Sequence, residues 1–211
     1  MNSAASLSTT PAAPLRRLIP VFVVLIAALA AVLAFVMLTP RAARFHGMAL
    51  DAGEPIHDLT FESENGPVTV ESFRGRTTVF YFGYTQCPDV CPTSLSDAAR
   101  ALKSLGADAD RIRVVMVTID PQRDDAAHVA RYARIFDPRF VGLSGSQAQI
   151  ADAASRFGVH YARSATSAGA YSMEHTASML VLDAEGRLRV ILPYGMPSTE
   201  IADDLKAALQ L

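Results

Sequence analysis

The chain has 211 residues, half of them hydrophobic, with 19 basic residues against 21 acidic and a formal net charge of −2. Arg16, Arg17, Arg41 and Arg44 precede every acidic residue, so positions 45–211 carry 15 basic against 21 acidic residues, a formal charge of −6. That balance argues against a nucleic-acid surface, and the length after residue 45 suits one domain.

Residues 1–17 are rich in Ser, Thr, Ala and Pro and read as a disordered tail. Leu18 to Leu38 is a run of 21 residues without charge. At about 1.5 Å rise per residue it spans roughly 30 Å, the thickness of a bilayer core, so 18–38 is expected to be one transmembrane helix. Pro20 lies near its start, where a helix tolerates proline. No small-residue cleavage pattern follows, which favours an uncleaved anchor over a signal. Arg16 and Arg17 before the span balance Arg41 and Arg44 after it, so the positive-inside count does not orient it. No cysteine follows the span closely, which excludes a lipoprotein anchor. Residues 39–54 read as a linker and 55–211 as the folded domain.

Within the domain, Phe61 to Val70 resembles a hairpin turning at Asn65-Gly66. Phe73 to Arg76 is a turn. Thr77 to Tyr84 is an apolar central strand. Pro92 to Leu105 is a helix, with Leu95, Ala98, Ala99, Leu102 and Leu105 at helical spacing. Ile112 to Thr118 is a β-branched run, as expected of a strand covered on both faces. Asp124 is placed to cap a helix reaching Phe136. Val141 to Leu143 is a short strand and Ser146 to Phe157 a helix. Residues 162–172, rich in Ser, Ala and Gly, read as a flexible loop. Met179–Leu182 and Leu188–Leu192 pair around Asp183-Ala184-Glu185-Gly186, and Ser198 opens a last helix. The alternation implies an α/β fold: a mixed sheet with flanking helices, preceded by the transmembrane helix.

The stretch Tyr81-Phe82-Gly83-Tyr84-Thr85-Gln86-Cys87-Pro88-Asp89-Val90-Cys91-Pro92 holds both cysteines of the chain, between the central strand and the first helix of the domain. Pro92 fits a first helical turn. Cys91 then lies near a helix N-terminus, whose partial positive charge favours thiolate. Such a pair can cycle between dithiol and disulfide or bind a thiophilic metal. It can also be a structural pair, although a disulfide across three intervening residues closes only a small loop. A redox or metal loop between strand and helix suits a thioredoxin-like fold, with the site at the carboxyl ends of the strands.

Five histidines are available. His46 and His57 lie in or near the linker, His128 on a charged helix, and His160 after a helix. His175, in Glu174-His175-Thr176, enters the last hairpin, at the strand start that lies beside the cysteine loop in a thioredoxin-like sheet. Thioredoxins place a proline there, and this chain has none. An imidazole there either completes a Cys₂His site or hydrogen-bonds the loop. Two thiolates and one imidazole suit Cu(I), or Cu(II) where geometry allows, whereas a structural zinc site wants a fourth ligand. Asp89 and Glu174 are candidates for the outer shell of such a site, or ordinary surface acids.

At these residues the chain resembles the Sco/SenC family, membrane-anchored thioredoxin-like copper proteins that assist cytochrome c oxidase assembly. The resemblance rests on Tyr81 to Thr93, on Val117-Thr118-Ile119-Asp120-Pro121-Gln122-Arg123-Asp124, on Phe136 to Phe140 with Gly142 to Gly145, and on Glu174-His175-Thr176. It implies that Cys87, Cys91 and His175 bind copper. It also implies a soluble domain on the periplasmic or intermembrane-space side. The implied function is that of a metallochaperone, with the copper-bearing oxidase subunit as acceptor and a copper chaperone as donor. The alternative is a thiol–disulfide oxidoreductase acting on the cysteines of that copper site or on another substrate. Gln86, Glu174 and Thr176 stand where the family often has His, Asp and Ser; these departures leave the three ligands intact.

Overall fold

The structure, a computed structural model, describes residues 15–38, 44–165 and 171–211. Helix α1 (Leu15–Leu38) belongs to one compact unit and the residues from 44 onward to a second. Residues 1–14, most of the expected tail, lie outside the described residues. Helix α1 contains an 18-residue window, Leu18–Phe35, apolar enough to cross a membrane.

The second unit is a six-stranded mixed sheet in the order β1-β10-β9-β4-β5-β6. Its strands are β1 (Met48–Ala49), β4 (Thr77–Gly83), β5 (Ile112–Thr118), β6 (Val141–Leu143), β9 (Met179–Leu182) and β10 (Leu188–Leu192). Two smaller hairpins flank it: β2 (Thr60–Ser63) with β3 (Gly66–Thr69), and β7 (Tyr161–Ala165) with β8 (Tyr171–His175). The helices are α2 (Val90–Leu105), α3 (Ala126–Phe136), α4 (Gln147–Arg156) and α5 (Ser198–Ala208).

Strand β4 is the axis. All seven of its residues are buried: it pairs in parallel with β5 on one side and antiparallel with β9 on the other, and both its faces are covered. Phe80 and Phe82 pack against Phe157 with tilted rings, centroids 4.8 and 5.2 Å away. Each fully buried aromatic or aliphatic side chain of this kind contributes roughly 1.5–3 kcal/mol. Helix α3 seats directly on β6, since a Cβ at Gly142 would run into the backbone of Val129 and Ala130.

Several expectations change. The helix expected from Pro92 begins at Val90, which places Cys91 inside its first turn. The cap of α3 is Asp125, which accepts from the His128 N–H at 2.7 Å, and not Asp124, which is buried and turned the other way. The segment read as a flexible loop over 162–172 instead forms most of the β7–β8 hairpin, with 166–170 outside the described residues. His175 ends that separate hairpin and does not open the β9–β10 pair. Met48 and Ala49, within the segment read as a linker, form an edge strand on β10. Buried Asp204 of α5 fixes their approach by accepting from the N–H groups of His46 (2.7 Å) and Gly47 (2.8 Å).

Candidate metal centre

Three segments bring the site together beyond the carboxyl ends of β4 and β5. The first is the loop after β4. Its shape is set by Asp124, whose carboxylate accepts from the Thr85 N–H (2.9 Å), the Thr85 hydroxyl (2.6 Å) and the Thr118 hydroxyl (2.8 Å). A buried carboxylate is stable only with such donors around it. Cys87 follows in a turn in which its N–H donates to the Tyr84 carbonyl. The second segment is the start of α2. The N–H of Cys91, one of the orphan donors of a helix N-terminus, donates to Cys87 Sγ at 3.4 Å. The third is β8, which ends on His175.

The potential donor atoms of Cys87, Cys91 and His175 all lie within 4.8 Å of one another. Cys91 Sγ and His175 Nε2 are 3.5 Å apart. Three donors, each about 2.0–2.3 Å from one first-row ion, stand roughly 3.5–4 Å apart in a trigonal plane. The constellation is therefore within about 1 Å of a three-coordinate site. Its donors are two sulfurs and one nitrogen, a soft set suited to Cu(I).

The imidazole is pre-oriented. Its Nδ1 lies 3.0 Å from the Thr176 carbonyl, which can only accept, so Nδ1 carries the proton and Nε2 presents its lone pair to Cys91. The Tyr81 and Tyr84 rings stand edge-on to it, each with its centroid 6.1 Å away. Burial holds the His175 pKa below its ordinary value, only partly offset by the Thr176 hydrogen bond. The imidazole is therefore neutral at physiological pH.

Cys91 corrects the expectation of a thiolate favoured by a helix N-terminus. It has no exposed surface, and burial pushes its thiol up to about 12. A helix terminus typically contributes 0.3–1 kcal/mol; desolvation of a sulfur anion outweighs it here. The uncharged site is thus a thiol facing a neutral imidazole. The hydroxyl of Tyr81, buried beside Cys91, has no hydrogen-bond partner among the described residues. A thiolate at Cys91, as metal coordination requires, gives that hydroxyl an acceptor.

Cys87 is half-buried, and the site opens into a cleft of about 340 Å³ walled by Tyr84, Pro88, Val90 and Met173. Asp89 and Glu174 stand exposed on its rim. Asp89 accepts from the Thr93 hydroxyl at 3.3 Å. Among the described residues neither carboxylate hydrogen-bonds a sulfur or the imidazole. His46, His57, His128 and His160 are not part of the cluster. Sequence reasoning missed the roles of Gly83 and Asp124. A Cβ at Gly83 would lie 2.9 Å from Cys91 Sγ, so glycine makes the space that the buried sulfur fills.

The SCO1/SenC family model matches residues 53–210, three-quarters of the chain. The chain belongs to the SCO1/SenC family. Among solved structures, apo Sco1 of Thermus thermophilus is 36% identical, with a TM-score of 0.73, covering 81% of this chain and all of that one. Bradyrhizobium japonicum ScoI, solved with copper bound, is 38% identical, with a TM-score of 0.67, covering 75% of this chain and all of that one. The mitochondrial SCO2 homologue of Mus musculus is 37% identical over 117 residues, which are 54% of this chain and 46% of that protein. The chain spans about half the length of the mammalian relatives it matches. Its domain has the thioredoxin-like α/β fold of the Sco structures.

Proposed function

We propose that this SCO1/SenC protein binds one copper ion through Cys87 Sγ, Cys91 Sγ and His175 Nε2. It delivers that ion to the copper-bearing subunit of cytochrome c oxidase. The observation that carries the reading is the convergence of two sulfurs and one correctly oriented imidazole nitrogen within 4.8 Å at the edge of an open cleft. Sco relatives assist cytochrome c oxidase assembly, and one similar protein was solved with copper bound. Copper is cargo in this scheme. Loading displaces the thiol protons and places the metal between the sulfurs and Nε2. Unloading proceeds by ligand exchange, which an open three-donor site permits and a closed four-ligand site resists.

Helix α1 serves as the membrane anchor. The domain lies on the periplasmic side of a bacterial inner membrane, or in the intermembrane space of a mitochondrion. A donor chaperone supplies the metal.

The second reading is a thiol–disulfide oxidoreductase: Cys87 and Cys91 would form a disulfide as a substrate disulfide becomes a dithiol. Both cysteines are free and close, which favours it. The complete burial of Cys91 and the placement of His175 Nε2 against it favour the metal. The test is Cu(I) titration of the reduced full chain in detergent against a chromophoric chelator, wild type beside His175→Ala. One tightly bound ion in the wild type, lost by at least tenfold in the variant, is expected. Equal affinity in both proteins would end the three-ligand model.

A further inference from the structure

The hairpin that carries His175 is not part of the central sheet. It therefore needs its own attachment to keep the imidazole against Cys91. At the His175 end, the Thr176 N–H donates to the His160 carbonyl (2.9 Å) and the His160 N–H to the Thr176 hydroxyl (3.1 Å). Those contacts close the base of the hairpin on itself and do not reach the cysteine loop.

The far end is different. Tyr171 opens β8, four residues before His175 and about 13 Å away at strand rise. Its ring lies between two guanidinium groups: Arg123 Cζ is 3.8 Å and Arg163 Cζ 3.9 Å from the ring centroid. Its hydroxyl donates to the buried carboxylate of Asp120 at 2.9 Å. Arg123 pairs with that same carboxylate through Nε. Its Nη1 donates both to the Tyr171 carbonyl (3.1 Å) and to Gln86 Oε1 (3.1 Å). Gln86 immediately precedes Cys87. Arg163, on β7, donates in turn to Gln122 Oε1 at 2.8 Å. One guanidinium, held from the loop after β5, therefore ties the cysteine loop to the histidine strand.

We propose that Arg123 and Tyr171 are positioning residues of the metal site: the stack between them holds β8 down and keeps His175 Nε2 within ligand reach of Cys91. Stacked and hydrogen-bonded arginine is poorly replaced by lysine, which lacks the planar fork. The inference rests on the three-ligand reading and sharpens it. Neither residue touches the ion; both act through His175.

The test is a double-mutant cycle in the full chain, with Cu(I) affinity measured against a chromophoric chelator. The proteins are wild type, Arg123→Ala, Tyr171→Ala, His175→Ala, and the two combinations with His175→Ala. Tyr171→Phe, which keeps the stack and loses the Asp120 hydrogen bond, is the conservative control. Loss of outer-shell support typically costs 10–100-fold in metal affinity. Arg123→Ala and Tyr171→Ala are expected to fall in that range, and Tyr171→Phe to retain most of the affinity. In the His175→Ala background both changes should add less than twofold. X-ray absorption of the loaded Arg123→Ala protein should show the nitrogen donor lost and both sulfurs kept. An equal drop in both backgrounds would assign these residues a general structural role and overturn the proposal. Wild-type affinity in folded Arg123→Ala would overturn it as well. Where Arg123→Ala does not fold, Tyr171→Ala and Tyr171→Phe decide by the same cycle. A wild type that binds no Cu(I) would instead defeat the function proposed above.

Discussion

Substitution of Gly83 by alanine isolates the fit between β4 and the buried sulfur. The backbone at Gly83 is not left-handed, so alanine meets no conformational penalty there and the effect is steric. The new Cβ would stand 2.9 Å from Cys91 Sγ and 2.8 Å from a ring carbon of Tyr81. Ordinary non-bonded contacts lie near 3.5–4.0 Å, so the shortfall is about 0.6–1.2 Å on each side. Tyr81 is fully buried beneath the site and has nowhere to retreat. The sulfur moves more easily, by rotation of roughly 30° about its Cα–Cβ bond, which costs about 0.5–1.5 kcal/mol. Adding the strain on Tyr81, overpacking of this kind totals about 1–3 kcal/mol of stability. The same movement displaces one proposed ligand by several tenths of an ångström, whereas metal–ligand distances tolerate about ±0.2 Å. Cu(I) affinity should therefore fall by at least tenfold while the protein stays folded. Urea unfolding of the apo protein and chelator competition for Cu(I) measure the two effects separately. Gly83→Ala with wild-type stability and wild-type affinity would show that the contact of β4 with Cys91 does not position the sulfur.

Three further outcomes follow from the same contacts. Asp124→Ala leaves the Thr85 N–H and two hydroxyls without their buried acceptor, and at about 1–3 kcal/mol per orphaned group the urea midpoint should drop by the equivalent of at least about 3 kcal/mol. Asp204→Ala frees the segment at His46 and Gly47; hydrogen exchange should lose protection at the Leu50 amide, which donates to the Arg189 carbonyl, while the amides of β4 keep theirs. The Cys91 thiol, raised by burial from its ordinary value of 9 to about 12, keeps its proton in the folded apo protein where the unfolded chain has lost it. Its contribution to stability is therefore complete below about pH 9 and lost as pH rises towards about 12. Alkaline unfolding of the metal-free protein should show this slope, and Cys91→Ala should remove it.

The frame was legible because its signals are local. The β-branched and aromatic runs of β4 and β5 lie between covering helices, and their continuous apolarity matches burial on both faces. The two cysteines and His175 were legible as chemistry before anything placed them together. What the sequence hid depends on partners far along the chain. Asp124 and Asp125 are equally good caps by composition; Asp125 takes the role because Thr85, 39 residues before Asp124, claims the other carboxylate. The β7–β8 hairpin has a weak alternation, with only Met173 buried on β8, so its composition reads as loop. Besides buried Met173, its contacts to the rest of the domain include Arg123 and Asp120, 48 and 51 residues before Tyr171. The protonated state of Cys91 in the metal-free protein is hidden from the sequence because proximity to a helix terminus is visible there, and complete burial beside Tyr81 and Gly83 is not.

The three proposed ligands differ in how firmly the fold holds them, and that difference bears on transfer. Cys91 is locked: its backbone is in the first turn of α2 and its sulfur has no exposed surface. Cys87 sits on a turn and is half-buried at the cleft. His175 rides on a hairpin fastened from outside the sheet. An incoming ligand from an acceptor can reach the Cys87 side of a bound ion, because the opposite side is closed by β4. In the proposed transfer, exchange would begin at half-buried Cys87, and the fully buried Cys91 would be the last donor to let go. A site with three equally buried ligands would hold the ion and could not pass it on. One fixed thiol and two more accessible donors would suit the proposed hand-off, holding an ion until another soft donor reached it.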